Sequence, residues 1–284
     1  MQDEGWSLPW RSLVAIQPGG TNTPLFMVPG VGGNVLSFAH LSNLLGPDQP
    51  FYGTQSRGLD GTEEPFRCIE DMARAYIGEI REIQPKGPYM LGGACMGGVV
   101  AFEMAQQLAA SGEEVAVLAL IEIWLPRSLS KRRDSLSFSF HPMVFVVQGV
   151  VRHLLALRHK SPREWSSYVR ARPGIVKEMI DQKDIYRGDR SILYQDAVSA
   201  ANFRAMAEYL PRPYKGRLHL FLASDRPVNP ARDTRLEWAS LAEGGYSLHR
   251  INAKMSGDLS IHPYVTEFAD KLRSTLSRSG SPEC

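Results

Sequence analysis

Gly87-Pro88-Tyr89-Met90-Leu91-Gly92-Gly93-Ala94-Cys95-Met96-Gly97-Gly98-Val99-Val100-Ala101-Phe102-Glu103-Met104-Ala105 decides the fold. Residues 88–91 are an apolar run suited to a buried strand, and residues 99–108 read as a helix. Between them, Gly93-Ala94-Cys95-Met96-Gly97 puts one nucleophilic side chain at the centre of a strand-to-helix turn. Such a turn strains its central residue and leaves no room for side chains at its flanks. Gly93 and Gly97 meet that demand. The thiol of Cys95 is then held at the mouth of a sheet, above the start of a helix. A helix N-terminus favours negative charge, so the thiol pKa is expected to fall. The stretch suits a sulfur that carries an acyl group.

Strands and helices alternate outward from this turn. Pro24-Leu25-Phe26-Met27-Val28 predicts a strand, Pro29-Gly30-Val31-Gly32-Gly33 breaks it, and residues 35–45 have helical spacing. A strand fits residues 50–55, and a long helix fits 67–83, with Ile69, Met72, Ala73, Tyr76, Ile77 and Ile80 on one face. Another apolar run covers 115–123. This alternation predicts a parallel sheet covered on both faces. From about 126 to 190 no strand is evident, and the segment reads as a helical lid inserted in a single domain spanning residues 1–284. Alternation resumes with a helix near 191–209, strands at 218–222 and 246–251, and a closing helix from 263 to about 276. Residues 277–284 are expected to be a disordered tail.

Composition narrows the class. With 43% hydrophobic residues in 284, the chain can bury a large core. A net charge of +2 does not point to nucleic acid, and no apolar run approaches the roughly 20 residues needed to span a bilayer. The start, Met1-Gln2-Asp3-Glu4, shows no secretory signal. Three cysteines, Cys68, Cys95 and Cys284, are odd in number and far apart. That speaks against a disulfide framework or a zinc site and for a reducing, cytoplasmic setting. Cys68 reads as a small core residue and Cys284 as part of a frayed end.

The long turn segment, residues 24–33, and the Tyr214-Lys215-Gly216-Arg217-Leu218 turn together resemble the thioesterase-like α/β-hydrolases that release chains from nonribosomal peptide and polyketide assembly lines. The likeness runs from about residue 13 to 276. It implies an α/β-hydrolase fold: a mostly parallel central sheet, helices on both faces and a helical lid. It also implies no cofactor of the chain's own. The substrate would ride on the phosphopantetheine of an acyl or peptidyl carrier protein.

Cys95 stands where the family usually has serine, and takes the nucleophile's role by resemblance; the alternative is an inert core thiol. One oxyanion donor is expected at the Met96 N–H, the residue after the nucleophile. The resemblance places the other at Val31, with Gly30 beside it; these glycines equally suit a tight turn. The family's acid follows the strand after the turn helix, where this chain has Glu122. Burying that charge without a partner would be costly. Asp225, after strand 218–222, is the second candidate, and a structural salt bridge is open to either.

The family's histidine follows the last strand, as Gly-Asp-His or Gly-Asn-His. Here Gly257-Asp258 leads to Leu259, and matching by distance from the strand gives Met255 or Ser256. No register supplies histidine. His262 reaches the site only if its loop folds back; otherwise it is an exposed flank of the last helix. His249 reads as structural, and His40, His141, His153, His159 and His219 carry no motif. Between residues 126 and 172, Arg127, Lys131, Arg132, Arg133, Arg152, Arg158, Lys160, Arg163, Arg170 and Arg172 face only Asp134 and Glu164. That is a solvated basic face or a dock for an acidic carrier protein.

A cysteine in place of serine and a missing histidine favour acyl capture over water activation. The reaction expected is Dieckmann-type C–C cyclisation of a carrier-bound β-ketoacyl-aminoacyl thioester. The alternatives are a hydrolytic or macrocyclising thioesterase using His262, and a degenerate fold that only binds a carrier protein.

Overall fold

Strong helix signals come from period and strong strand signals from continuous burial, and both are realised. The computed structural model describes residues 12–123, 190–223, 237–253, 259 and 262–279. The elements are β1 (Leu13–Gln17), β2 (Leu25–Val28), α1 (Ala39–Leu45), β3 (Phe51–Thr54), α2 (Ile69–Ile83), β4 (Tyr89–Ala94), α3 (Met96–Ala110), β5 (Val115–Ile121), α4 (Arg190–Glu208), β6 (Leu218–Ala223), β7 (Tyr246–Ile251) and α5 (Tyr264–Ser279). The chain divides into two compact units, Met1–Ser130 with Leu193–Cys284, and Lys131–Ile192. The lid expected at 126–190 and its basic residues lie outside the described residues, apart from Arg190 at the start of α4.

Among the described residues the strands form one sheet in the order β1-β3-β2-β4-β5-β6-β7. Every neighbouring pair is parallel except β1 with β3. The central strands have no polar face. Phe26 and Val28 pack with Leu118 and Leu120 under α2 and α3, whereas Leu25 and Met27 pack with Val117, Ala119 and Ile121 under α1 and α5. A strand buried on both sides must be apolar at consecutive positions, which is why these runs lack alternation. No described helix is long and apolar enough to cross a membrane.

Four details differ from expectation. β1 was not expected. It is a half-buried edge strand, secured by Glu79 of α2, whose carboxylate accepts the Ser12 and Leu13 amides at 3.1 and 2.6 Å. The helix expected at 35–45 begins as a 3-10 turn, Leu36–Phe38, with Asn34 Oδ1 accepting the Leu36 amide at 2.8 Å. β4 and α3 are longer than expected, because Gly92 and Gly93 lie in the strand and the helix starts directly after Cys95. The closing helix runs to Ser279, so residues 277–279 of the expected tail are helical.

Candidate active site

Cys95 sits at φ 53° and ψ −119°, between the end of β4 and the first residue of α3. A left-handed φ is costly for a residue with a side chain and persists only where the surroundings enforce it. Here they do. A Cβ on Gly93 would run into the carbonyl of Gly97, and a Cβ on Gly97 into the carbonyls of Val28 and Pro29. The Cys95 amide donates to the Ile121 carbonyl at 2.8 Å, and its own carbonyl accepts from Gly98 at 3.1 Å. The thiol is free of disulfide and partly exposed, not sealed in the core.

The glycine loop after β2 lies against this bend. A side chain on Gly30 would begin 3.9 Å from the Cys95 Cβ. Gly33 donates to the Gly30 carbonyl at 2.8 Å, closing the turn that carries Val31. Met96 is the first residue of α3, so no helix carbonyl precedes it to accept its amide. The two amides expected to hold an oxyanion thus belong to segments that touch: the loop of Val31 and Gly30, and the start of α3.

Glu122 follows β5 and is the second non-glycine residue with positive φ among those described, at 48°. It is 3% exposed. Its amide donates to the Phe221 carbonyl at 3.0 Å, and its Oε1 accepts the amide of Ala223. The carboxylate is therefore tied to the end of β6, one residue beyond the Ile121 carbonyl that holds Cys95. Ile123, next along, packs its side chain at Gly98. The ends of β2, β4, β5 and β6 converge here, at the carboxyl edge of neighbouring parallel strands, where open α/β sheets build sites. Asp225 lies outside the described residues, as do Met255 and Ser256.

Leu259, which the Gly257-Asp258 register sets at the expected histidine's place, is 3% exposed and packs in the apolar core with Ala253, Val265 and Phe268. His262 is exposed, just before α5. His219 and His249 face each other on β6 and β7, with Nδ1 and Nε2 3.2 Å apart. His219 lies four residues before Ala223, or about 13 Å back along the strand. It belongs to a different part of the sheet. Burial, with His249 and Arg217 nearby, pushes its pKa down to about 4. His40 is exposed on α1, and His141, His153 and His159 lie outside the described residues. No cluster of three metal-ligating side chains occurs among the described residues.

Cys68 is also partly exposed and in no disulfide. Burial is the main cause that raises its thiol pKa, with Asp71 and Glu70 adding to it. Sequence reading missed two residues that the site uses. Asn202 of α4, 2% exposed, donates Nδ2 to the Val31 carbonyl at 2.8 Å and to Ser56 Oγ at 3.2 Å. Ser56 in turn donates its amide to Gly33 at 2.9 Å. An asparagine in the middle of a helix, in Ala200-Ala201-Asn202-Phe203, was the available signal.

Residues 23–274 match the sequence profile of the family described as "Thioesterase domain". The dimodular nonribosomal peptide synthase of Bacillus subtilis is 42% identical over 112 residues, 39% of this chain and 5% of that protein. Nonribosomal peptide synthetase BtyA of Aspergillus terreus is 39% identical over 105 residues, 37% of this chain and 11% of that one. The chain thus spans a small part of these curated relatives. Among solved structures, the NocB thioesterase domain from the nocardicin cluster superposes with a TM-score of 0.62 at 22% identity, covering 94% of this chain and 99% of that one. At that identity the likeness concerns the fold.

Proposed function

The chain belongs to the thioesterase domain family, and from that premise we propose that it is a chain-releasing acyl-thioester enzyme of nonribosomal peptide or polyketide synthesis with Cys95 as its covalent nucleophile. The observation that carries this reading is the left-handed Cys95 held between two mandatory glycines, partly exposed, with the Met96 amide and the Gly30–Val31 loop beside it. The substrate would be an acyl chain on the phosphopantetheine of an acyl or peptidyl carrier protein, whose docking at the basic segment 126–172 belongs to the same proposal.

The chemistry follows from the side chains. The Cys95 thiolate attacks the thioester carbonyl. A carbon–sulfur bond forms, the carrier's thiolate leaves, and the oxyanion between these events lies against the Met96 and Val31 amides. Sulfur-for-sulfur exchange is near balance, so the chain stays activated. Release then needs a second nucleophile. For water a base is needed, and matching on Gly257-Asp258 puts a core leucine, Leu259, where the resemblance implies histidine. A carbon between two carbonyls is acidic enough to supply its own carbanion. Its proton passes to Glu122 or to solvent; the carbanion attacks the acyl carbonyl, a carbon–carbon bond forms, Cys95 leaves as the thiolate and the ring closes, with Glu122 as the orienting acid or base. This Dieckmann-type cyclisation is the reading we favour.

The test is intact-protein mass after mixing with a β-ketoacyl-aminoacyl thioester of N-acetylcysteamine, with analysis of the released product. An adduct on Cys95 and a C-acylated ring are expected, and both vanish in Cys95→Ala. No adduct, with turnover unchanged in Cys95→Ala, would falsify the nucleophile. A free acid or macrocycle would replace cyclisation by hydrolysis or macrocyclisation, and tight carrier binding without acyl transfer would replace the enzyme by a binding module.

A further inference from the structure

The glycine loop opposite Cys95 has to present one amide in a fixed direction, yet Gly30-Val31-Gly32-Gly33 is intrinsically loose. Two hydrogen bonds set it. The Gly30–Val31 peptide is held through its carbonyl by the Gly33 amide at 2.8 Å. The next peptide, Val31–Gly32, is held through its carbonyl by Asn202 Nδ2 at 2.8 Å. With a hydrogen bond on the carbonyl of each flanking peptide, the torsions of Val31, and with them the direction of its N–H, are restricted before substrate arrives.

We propose that Asn202 is a positioning residue of the acyl-transfer site: from α4 it locks the Val31 carbonyl and so aims the Val31 amide at the oxyanion formed on Cys95. The inference rests on the acyl-transfer reading above. Its geometry is specific. Asn202 is 2% exposed, so water does not compete for its amide. Its second hydrogen bond, to Ser56 Oγ at 3.2 Å, fixes the rotamer. Ser56 is itself anchored: its amide binds the Gly33 carbonyl at 2.9 Å. The chain Ser56, Asn202, Val31 thus ties α4 to one peptide plane.

Two reactions at the same sulfur test this. Acylation by an N-acetylcysteamine thioester passes through an oxyanion. Alkylation by iodoacetamide displaces iodide in one step and forms none. Asn202→Leu removes both donors at similar volume. The saturating acylation rate constant should fall on the order of 10–100-fold, with the half-saturating thioester concentration and the alkylation rate within about twofold of wild type. Ser56→Ala keeps the bond to Val31 and should lose less. Should Asn202→Leu fold poorly, Asn202→Ala serves, since alanine has no donor for the Val31 carbonyl. Equal acylation by wild type and a folded Asn202 variant overturns the inference, as does a parallel loss of alkylation and acylation, which would mark a general structural role. Absence of a Cys95 adduct in wild type sinks the acyl-transfer reading instead, so the two failures are distinguishable.

Discussion

Gly30→Ala should leave the fold intact and disable the site, and that combination is what the geometry demands. The new Cβ would lie 3.7 Å from the Ala94 carbonyl and 3.9 Å from the Cys95 Cβ, ordinary van der Waals distances. Gly30 is not among the positive-φ glycines. Replacing a glycine at a compatible φ shrinks the unfolded ensemble and is worth about 0.4–1 kcal/mol of stability. The melting temperature should therefore hold or rise by a few degrees, about 2–4 °C per kcal/mol for a domain of this size. On the proposed mechanism, the same methyl, 3.9 Å from the Cys95 Cβ, would crowd the approach of a thioester oxygen to the Val31 amide. Losing one oxyanion donor costs on the order of 10²–10³-fold, or about 2.7–4 kcal/mol of barrier. Gly97→Ala is the control with the opposite signature. Its Cβ meets the backbone carbonyls of Val28 and Pro29, which no rotamer change relieves. A loss of about 3 kcal/mol or more is expected, seen as a melting point lower by roughly 6–12 °C. Thermal melts and single-turnover acylation by intact mass read both. A Gly30→Ala protein that acylates within threefold of wild type would refute the placement of the glycine loop at the reacting carbonyl.

Other perturbations probe separate parts. Glu122→Gln retains an acceptor for the Ala223 amide but removes the charge; melting should shift little while turnover falls about 10²-fold, and unchanged turnover would leave Glu122 a structural tie and direct attention to Asp225. At neutral pH iodoacetamide should label Cys95 at least about tenfold faster than Cys68, whose thiol is held up mainly by burial; peptide mapping that finds Cys68 labelled first would contradict an open elbow. His219, with its pKa lowered to about 4, is held neutral by the fold, so the unfolded chain takes up its proton first. Its contribution is complete above about pH 6.5, declines as pH falls toward 4 and is constant below that. Because the imidazole is only partly buried, we expect roughly 1–3 kcal/mol. His249, Lys271 and Arg278 line the same cavity of about 330 Å³. Urea unfolding at about pH 7 and 4.5 should show a smaller pH difference for His219→Phe by that amount; identical differences would show that the proton goes elsewhere.

What was readable in the chain is what local chemistry compels. The bend at Cys95 was legible because two glycines and an apolar run satisfy a steric demand that few other sequences meet, and the structure returns the strained φ of 53°. The buried strands were legible from continuous apolar runs, and α2 from its period. β1 was not, because a short, half-exposed edge strand has no pattern of its own; its anchor, Glu79, lies 66 residues on from Leu13. Asn202 was equally hidden, since its acceptor Val31 is 171 residues away. Glu122 was found as a buried charge, but its tie to Ala223 exists only once β5 and β6 are neighbours.

Leu259 joins these observations into one chemical argument. The search for a histidine failed in every register, and the structure shows why the leucine is there: it completes the core between β7 and α5 with Ala253, Val265 and Phe268. With Gly257-Asp258 as the register, we propose that Cys95 and Leu259 form one paired departure. A thiol ionises several pH units lower than a hydroxyl and needs less help from a base, whereas water needs a base in the second step. The pair would keep acyl capture, weaken hydrolysis and leave the chain to a nucleophile it carries itself. Leu259→His tests the pairing: if it raises the yield of free acid from a Cys95-bound acyl chain relative to cyclic product, the leucine is what holds water back, and an unchanged product ratio would separate the two substitutions.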